Sequence, residues 1–230
     1  MLFRSRLASL SEERREVAQQ LIATRESTLR HLARELHDEF GQTLTAMGSM
    51  LGRAGRQAPA DSPLGSDLRE ISEVAQGMLE HVRGLSQTLH PSILEDVGLE
   101  GTVDWYLSTV ERQTGLAVSC ERTGPASPVD VTVAIHVYRV LQEALNNIAR
   151  HSGAKEAWVR LRFEPGLLEL DVEDHGTGMN RGTRQRGLGV VTMRERAALV
   201  GGTIEFVRPR EGGTLVRLRV PVPKVAASGG

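Results

Sequence analysis

Cysteine is almost absent from this chain of 230 residues, which contains only Cys120. One cysteine excludes an intrachain disulfide and a zinc site built from several thiolates, and it fits a reducing compartment. Aromatic residues make up 3% of the chain, too few for a surface that stacks nucleic-acid bases. Neither charge is in excess, with 28 basic and 29 acidic residues, so we expect no nucleic-acid partner.

Long hydrophobic runs are missing as well. No segment approaches the roughly 18 apolar residues of a membrane-spanning helix, so we expect no membrane span in this chain. The first residues include arginines but no apolar segment behind them, unlike a secretory signal peptide. Two interpretations stay open: a complete cytoplasmic protein, or the cytoplasmic part of a longer membrane sensor, because residues 2–4 could follow a removed span.

Proline is missing between residues 5 and 57, and the apolar residues there recur at helical spacing. Residues 1–25 are predicted to form a coiled-coil lead-in helix. An apolar stripe then follows one face of the predicted helix and consists of Leu29, Leu32, Leu36, Phe40, Leu44, Met47 and Leu51. This helix is expected to end at two glycines and two prolines, namely Gly52, Gly55, Pro59 and Pro63.

A second amphipathic helix is predicted over residues 67–89, and Pro91 is expected to end it. Two such helices joined by a short loop cannot bury both apolar stripes alone. Two copies of the hairpin can do so by forming a four-helix bundle. We therefore expect a homodimer, formed through a dimerisation and phosphotransfer domain at residues 26–95.

Residues 96–223 alternate between helical and strand patterns, which predicts an α+β sandwich. The expected helices span 99–114, 131–151 and 190–200. The expected sheet is mainly antiparallel and consists of strands at 117–121, 157–163, 168–172, 203–207 and 214–220. The tail at 224–230 is rich in small residues and is predicted to be disordered.

A P-loop is excluded because the chain lacks G-x-x-x-x-G-K-[ST], and no G-x-G-x-x-G follows a strand. Instead, Asp174-His-Gly-Thr-Gly178 follows the strand predicted at 168–172. A carboxylate at this place can accept a hydrogen bond from an exocyclic amine such as that of adenine. Gly176 and Gly178 allow the backbone to approach a flat ring or phosphates without a Cβ clash.

Gly187-Leu188-Gly189 then opens a helix, and backbone N–H groups at a helix N-terminus suit phosphate oxygens. Each of these glycine motifs alone is weak, because short turns often contain them. Together with the helix before them, and in this order, they indicate a nucleotide site.

That preceding helix carries Glu143, Asn147 and Arg150 at i, i+4 and i+7, on one face of a regular helix. Asn147 can offer a neutral oxygen to Mg²⁺, which takes few protein ligands. Glu143 can hold a metal-bound water and is a candidate catalytic residue, whereas Arg150 can neutralise phosphate charge. Without the glycine motifs, the same pattern would more often be a solvated helix face.

Three segments resemble the N, G1 and G2 boxes of the GHKL ATPase superfamily: Glu143-Ala-Leu-Asn-Asn147-Ile-Ala-Arg-His151, Asp174-His-Gly-Thr-Gly178-Met and Gly187-Leu-Gly189-Val-Val-Thr-Met-Arg-Glu-Arg196. Gly213-Thr214 resembles the final G-T element. The resemblance covers about residues 96–222 and implies a Bergerat ATP-binding sandwich with ATP and Mg²⁺ as cofactors. It implies that Asn147 is the metal ligand. The residues that it implies contact the cofactor are Asn147, Arg150, His151, Asp174, Gly176, Gly178, Gly187, Leu188, Gly189 and Thr214.

One departure from that superfamily concerns the segment that closes over the nucleotide. Residues 180–185 are few and contain no phenylalanine, so the usual aromatic box is missing. The ATP lid should therefore be small.

His37 lies at the edge of the apolar stripe if each residue of the helix advances by about 100°. Asp38 and Gln42, at i and i+4 of each other, then face solvent outside the core. A neutral imidazole is a good nucleophile near pH 7 and can attack a γ-phosphoryl group. Asp38 can orient the ring or take its other proton, and Gln42 can hold a water for the reverse, hydrolytic task. These three are candidate catalytic residues.

Residues 33–46 resemble the phospho-acceptor box of DesK- and NarX-type sensor histidine kinases, whose motif is H-D-x-x-x-Q, because they contain His37-Asp38-Glu-Phe-Gly-Gln42. Leu89-His-Pro91-Ser-Ile-Leu94 resembles the segment that joins the two domains in that subfamily. The resemblance implies autophosphorylation of His37 and transfer to an aspartate in the receiver domain of a NarL/LuxR-type response regulator. Phosphatase activity toward that regulator is also expected.

Two other function classes remain open. A serine kinase of the anti-sigma type uses the same ATP fold but would not need His37, Asp38 and Gln42 on a dimerising helix. A non-enzymatic dimeric scaffold would not need an intact Asn147 and Asp174. Acid lability of the incorporated phosphate separates the two kinases, because phosphohistidine is acid-labile and phosphoserine is not.

Overall fold

The computed structural model describes residues 2–59, 62–89, 91, 93–125, 129–179 and 187–223. The chain divides into two compact units, Ala23–Ser92 and Ile93–Gly230, the second of which also takes in Met1–Ile22. The domain limits proposed from the sequence, 26–95 and 96–223, stay predictions.

The first unit is helical in its described residues. Its helical segments are the end of α1 (Leu2–Glu35), a first π-helical turn (Leu36–Gly41), α2 (Gln42–Gln57) and α3 (Pro63–Leu89). As the sequence predicts, two long helical stretches are joined by a short connection and form a hairpin.

The second helix of the hairpin begins at Pro63 rather than at residue 67, and α2 continues past Gly52 and Gly55 to Gln57. The prediction that Gly52, Gly55 and Pro63 help to end the first helix is therefore wrong. Ser62 lies just before it, and its Oγ accepts a hydrogen bond of 3.0 Å from the N–H of Gly65. Proline suits the first helical position because its φ is already helical and an N–H there would lack an acceptor within the helix.

The first π-helical turn is absent from the sequence-based prediction. Along the first stretch, residues turned toward the hairpin interior recur every three or four positions, but one step of five leads from Leu36 to Gly41. Gly41 is buried, whereas Phe40 is 51% exposed. A regular helix would have turned Phe40 toward the interior after Leu36. The additional residue of the π turn puts Gly41 there instead.

The interior of the hairpin is lined by small and aliphatic side chains, including Ala33, Ala75, Leu79 and Ser86. Ser86 donates a hydrogen bond of 2.7 Å from its Oγ to the backbone carbonyl of Ala33. Many other apolar side chains of the hairpin stay exposed, namely Leu32, Phe40, Met47, Met50, Leu64, Ile71, Val74, Met78 and Leu85.

The second unit is built on a five-stranded sheet with the order β1-β2-β3-β5-β4. Its strands are β1 (Ala117–Thr123), β2 (Glu156–Glu164), β3 (Leu167–Asp174), β4 (Thr203–Val207) and β5 (Thr214–Pro221). β1 pairs with β2 in parallel, and all other pairs are antiparallel. The prediction of a mainly antiparallel α+β fold is confirmed.

Helices cover one face of this sheet. They are α4 (Ile93–Thr114), α5 (Val131–Asn147) with a second π-helical turn (Ile148–Ser152), and α6 (Leu188–Leu199). The core between the two layers contains fully buried side chains from both, including Tyr138, Leu141, Leu145, Leu161, Leu170, Met193 and Leu218. Gly98 has φ +69° and kinks α4 near its start.

The opposite face of the sheet carries charges that alternate in sign from strand to strand. From one edge to the other, the strands contribute Glu121, then Arg160 and Arg162, then Glu169, Asp171 and Glu173, then Arg217 and Arg219, then Glu205. Arg160 donates to Glu173 at 2.8 Å, and Arg219 donates to Glu169 at 2.5 Å. Opposite charges on neighbouring strands stabilise the sheet and its register.

Asp171 is the centre of this charge network and is fully buried. Arg217 donates to both of its carboxylate oxygens at 2.8 Å, and Arg162 adds a bond of 2.6 Å. Burial alone would raise the pKa of Asp171. The hydrogen bonds and positive charges of Arg217 and Arg162 outweigh burial, and the pKa is lowered.

Arg217→Leu should therefore destabilise the second unit by roughly 2 kcal/mol, because a buried carboxylate loses its bidentate partner while Arg162 still compensates in part. Urea unfolding at pH 7 measures the change, with Arg210→Leu in the exposed β4–β5 turn as the control. Because the pKa of Asp171 is lower in the folded than in the unfolded chain, its ionised form stabilises the fold at pH values above the ordinary aspartate pKa, and this stabilisation is lost on acidification. The difference in free energy of unfolding between wild type and variant should thus shrink below roughly pH 4. A difference that persists undiminished there would contradict this account.

Candidate functional site

A cavity of about 690 Å³ lies where α5, the end of β3, the start of α6 and the start of β5 meet. This volume is in the range of sites that bind small molecules. Residues predicted from the sequence that line it are Glu143, Asn147, Arg150, His151, Asp174, Gly178, Gly187, Leu188, Gly189 and Thr214.

Asp174 is the last residue of β3 and lines the cavity with only 2% of its surface exposed. Its Oδ1 accepts a hydrogen bond of 2.8 Å from the N–H of Gly176. Burial raises the pKa of the Asp174 carboxyl, and the backbone hydrogen bonds from Gly176 and Thr214 offset part of that rise. A buried carboxylate with remaining acceptor capacity suits a ligand that brings its own donor.

Two glycines let the loops at the strand ends meet beside Asp174. Gly178 has φ +73°, and a Cβ there would come within 2.6 Å of the Gly213 carbonyl oxygen. Gly213 has φ +76°, and its Cβ would lie 1.8 Å from the Asp174 carbonyl oxygen. Thr214 follows and accepts a hydrogen bond of 3.2 Å from the N–H of Met179. The cavity wall therefore depends on backbone that only glycine can provide.

Gly176 lies behind the cavity wall rather than on it. A Cβ at Gly176 would come within 2.2 Å of the Ser152 carbonyl oxygen. That oxygen accepts a hydrogen bond of 2.9 Å from the N–H of Thr177. Gly176 thus allows the loop after β3 to pack against the second π-helical turn, and this packing explains its place in the motif.

The helix that leads into the site is not regular to its end. The sequence predicts a regular helix to His151, but α5 ends at Asn147 and Ile148–Ser152 form a π-helical turn. The i, i+4, i+7 alignment expected for Arg150 is corrected accordingly, since a π turn changes the rotation per residue. Arg150 and His151 nevertheless line the cavity with exposed side chains.

Glu143 and Asn147 form a hydrogen-bonded pair at the cavity, where Asn147 Nδ2 donates to Glu143 Oε1 at 3.3 Å. Gly189 packs closely against this pair, because a Cβ there would lie 2.0 Å from Glu143 Oε1. A side chain at residue 189 would therefore displace the end of the Glu143 side chain from this position beside α6.

The N-terminus of α6 opens onto the cavity. Gly187 precedes the helix and gives it no side-chain cap, and Leu188 at its first position is 82% exposed. The first N–H groups of a helix lack partners within the helix and attract anions. The predicted lid at 180–185 lies outside the described residues, as does the predicted disordered tail at 224–230.

His37 lies in the first π-helical turn of the hairpin, in a run of four exposed residues from His37 to Phe40. Asp38 and Gln42 are exposed as well. A π turn bonds residues five apart, so residues five apart follow one another on one face. Gln42 is therefore aligned with His37, five positions before it, rather than about 140° away as a regular helix predicts.

Comparison with known families gives a match for each of the two regions that contain these candidate sites. The family described as "Histidine kinase-, DNA gyrase B-, and HSP90-like ATPase" matches residues 132–224, which include the cavity residues. The family described as "Histidine kinase" matches residues 28–94, which include His37, Asp38 and Gln42. Residues 28–94 therefore belong to the histidine kinase family, and residues 132–224 to the ATPase family that histidine kinases share with DNA gyrase B and HSP90.

Three relatives share 32% identity with this chain. They are the signal transduction histidine-protein kinase/phosphatase UhpB of Salmonella typhimurium, the oxygen sensor histidine kinase NreB of Staphylococcus carnosus and the sensor histidine kinase MctS of Rhizobium johnstonii. The similarity covers 89%, 90% and 89% of this chain, and 41%, 60% and 45% of those relatives. The chain thus spans about half the length of the curated relatives it matches.

Several cavity residues are missing from the sequence-based prediction. They are Ala144, Asn146, Ile148, Ser152, Val172, Thr177, Met179, Val190 and Val216. Thr177 and Met179 adjoin recognised motif residues, and that adjacency was a usable signal. Val172 and Val216 look like ordinary strand residues, because their access to the cavity depends on the pairing of β3 with β5. Within the described ranges, none of the helices combines the length and the hydropathy of a membrane span.

Proposed function

We propose that the chain is an ATP-dependent protein histidine kinase that phosphorylates itself on His37. One imidazole nitrogen of His37 attacks the γ-phosphorus of ATP, an N–P bond forms, the bond to the bridging oxygen breaks, and ADP leaves. The observation that carries this proposal is Asp174, a buried carboxylate in a nucleotide-sized cavity of a chain that also exposes His37.

Asp174 is proposed to recognise adenine. An ionised, buried carboxylate accepts a hydrogen bond from the exocyclic amine. Burial strengthens that bond because no water competes for the carboxylate. Val172 and Val216 flank this position on the cavity lining and can contact the flat ring.

The phosphates are proposed to lie at the N-terminus of α6, near Gly187 and Gly189, where backbone N–H groups can bind them. Arg150 and His151 line the cavity and can neutralise charge. The side chains present fit Mg²⁺. Asn147 donates through Nδ2 to Glu143, and this hydrogen bond leaves the amide oxygen of Asn147 available to a metal ion. Mg²⁺ keeps several waters and uses few protein ligands, and when bound it neutralises charge on the phosphates.

The hairpin is proposed to form a homodimer. It exposes large apolar side chains on both helices, and a groove of about 450 Å³ between them is lined by Phe40, Thr43, Leu44, Val74, Gly77, Met78, His81 and Val82. Packing two hairpins into a four-helix bundle would bury these side chains, and apolar burial is the main driving force for such association.

The phosphoryl group is then proposed to pass from His37 to an aspartate in the receiver domain of a NarL/LuxR-type response regulator. Gln42 is proposed to hold the water for the reverse hydrolysis of that phospho-aspartate. Two observations support this role: Gln42 is aligned with His37 through the π turn, and relatives such as UhpB are described as kinase/phosphatases.

His37→Gln should abolish autophosphorylation and leave ATP binding near the wild-type value, because His37 belongs to the hairpin and the cavity to the other unit. Labelled ATP measures incorporation, and His31→Gln, on the same helical stretch, is the matched control. The labelled phosphate on the wild-type protein should be released in acid. Acid-stable label, or undiminished label in the His37 variant, would favour the serine-kinase alternative.

Asp174→Asn should weaken ATP binding roughly 10- to 100-fold, because a carboxamide can present an N–H to the adenine amine. The pKa of Asp174 is raised, so the wild-type carboxyl should gain a proton, and lose adenine binding, at a higher pH than an ordinary aspartate. Calorimetry from pH 8 downward should show wild type and variant converging on acidification. Glu164→Gln, at the exposed end of β2 and outside the cavity lining, is the control. Equal affinity of wild type and Asp174→Asn at pH 8 would remove Asp174 from adenine recognition.

Gln42→Ala should remove phosphatase activity and largely spare autophosphorylation, because an alanine cannot hold the attacking water whereas His37 itself is the nucleophile of the forward reaction. The assay follows decay of a separately phosphorylated regulator with ADP and Mg²⁺ present, and Gln57→Ala at the exposed end of α2 is the control. Equal decay with wild type and variant would make Gln42 a surface residue.

A further inference from the structure

Ser86 makes a contact that the proposed chemistry leaves unexplained. It lies in α3 with 5% of its surface exposed, and its hydroxyl donates to the Ala33 carbonyl of the other helical stretch at 2.7 Å. By contrast, Thr28 and Thr45 donate to carbonyls of their own helical stretch, four residues earlier. The Ser86 bond therefore ties the two sides of the hairpin together inside a buried contact.

The acceptor of this bond is placed one helical turn before His37. In α-helical geometry, the carbonyl of residue 33 is the acceptor for the N–H of residue 37. A carbonyl oxygen has two lone pairs, so Ala33 can also accept from Ser86. Ser86 thus anchors the last regular turn before the π-helical turn at Leu36–Gly41.

The location of the π turn decides which side chains share the face of His37. With the additional residue in place, Leu36 and Gly41 face the hairpin interior, and the residues between them are exposed. Gln42 then follows His37 on one face. If this turn became regular, Gln42 would lie about 140° around the helix from His37. Gln42 would then leave that face, and Phe40 would replace Gly41 in the interior.

We propose that Ser86 is a positioning residue for phosphoryl transfer: its hydrogen bond to Ala33 fixes where the additional residue of the π turn lies, and so holds His37 and Gln42 on one exposed face. This inference rests on the proposed kinase function. Ser86 acts through Ala33 and touches neither the nucleotide nor the phosphoryl group. A π turn is a short insertion that competes with the regular helix on either side, so one buried anchor at its start can select its register.

Two substitutions at the same position separate the hydrogen bond from packing. Ser86→Cys keeps nearly the same volume but has only a weak donor, whereas Ser86→Thr keeps the hydroxyl. Thr88→Ala is the matched control, because it removes an exposed hydroxyl on the same helix that donates within that helix to Gly84.

Initial rates of autophosphorylation of the full chain, measured against ATP concentration, give the first readout. Ser86→Cys should lower the maximal rate about tenfold at an unchanged KM for ATP. Without the anchor at Ala33 the additional residue can move to before His37, which turns the acceptor away from the exposed face while the cavity is intact. Ser86→Thr and Thr88→Ala should stay close to wild type. A wild-type rate in Ser86→Cys, a raised KM, or an equal loss in Ser86→Thr would overturn the inference.

Amide hydrogen exchange at residues 36–42 gives a second readout that does not depend on catalysis. Exchange should be faster in Ser86→Cys than in wild type and unchanged in Thr88→Ala, because only the first loses the anchor of the turn. Equal exchange in wild type, Ser86→Cys and Thr88→Ala would overturn the inference. This readout does not need Ser86→Thr, so it holds even if that variant does not fold. If wild type incorporates no label at His37, the kinase proposal fails, and exchange alone then decides the role of Ser86 in placing the turn.

Discussion

Strand β3 is buried on both faces, and the stability of the second unit depends on the contacts that each face makes. Leu168, Leu170 and Val172 pack into the core, while Asp171 on the other face is enclosed by Arg162 and Arg217. Without those guanidinium groups, a buried carboxylate in the middle of the sheet would strongly oppose folding.

The same strand delivers the candidate adenine-binding carboxylate. Its pairing with β5 aligns Asp174 with Thr214, and the glycine before Thr214 fits against the Asp174 backbone only because it has no Cβ. The charged face therefore does more than keep the open side of the sheet polar. By holding β3 and β5 in register, it keeps the two ends of the cavity wall opposite each other.

Both candidate sites lie at π-helical turns, one at Leu36–Gly41 and one at Ile148–Ser152. Such turns are rare and often occur at functional sites, because one additional residue re-aims the side chains around it without ending the helix. Here the first turn exposes His37 and brings Gln42 onto its face. The second lets Arg150 and His151 reach the cavity and presents the Ser152 carbonyl to the loop after β3.

The sequence by itself determined which segments are helices and strands, the motif residues of the cavity and the candidate acceptor segment at His37, because periodicity and glycine motifs are local properties of a chain. Only the tertiary structure decided the strand order, the cavity contacts of Val172 and Val216, the supporting place of Gly176 and the two π turns. The pairing of Asp174 with Thr214 joins residues far apart in sequence, and no local pattern encodes it. The π turn at His37 has the same cause: a regular stripe through Phe40 fits the local pattern, but packing against α3 selects Gly41 for the interior.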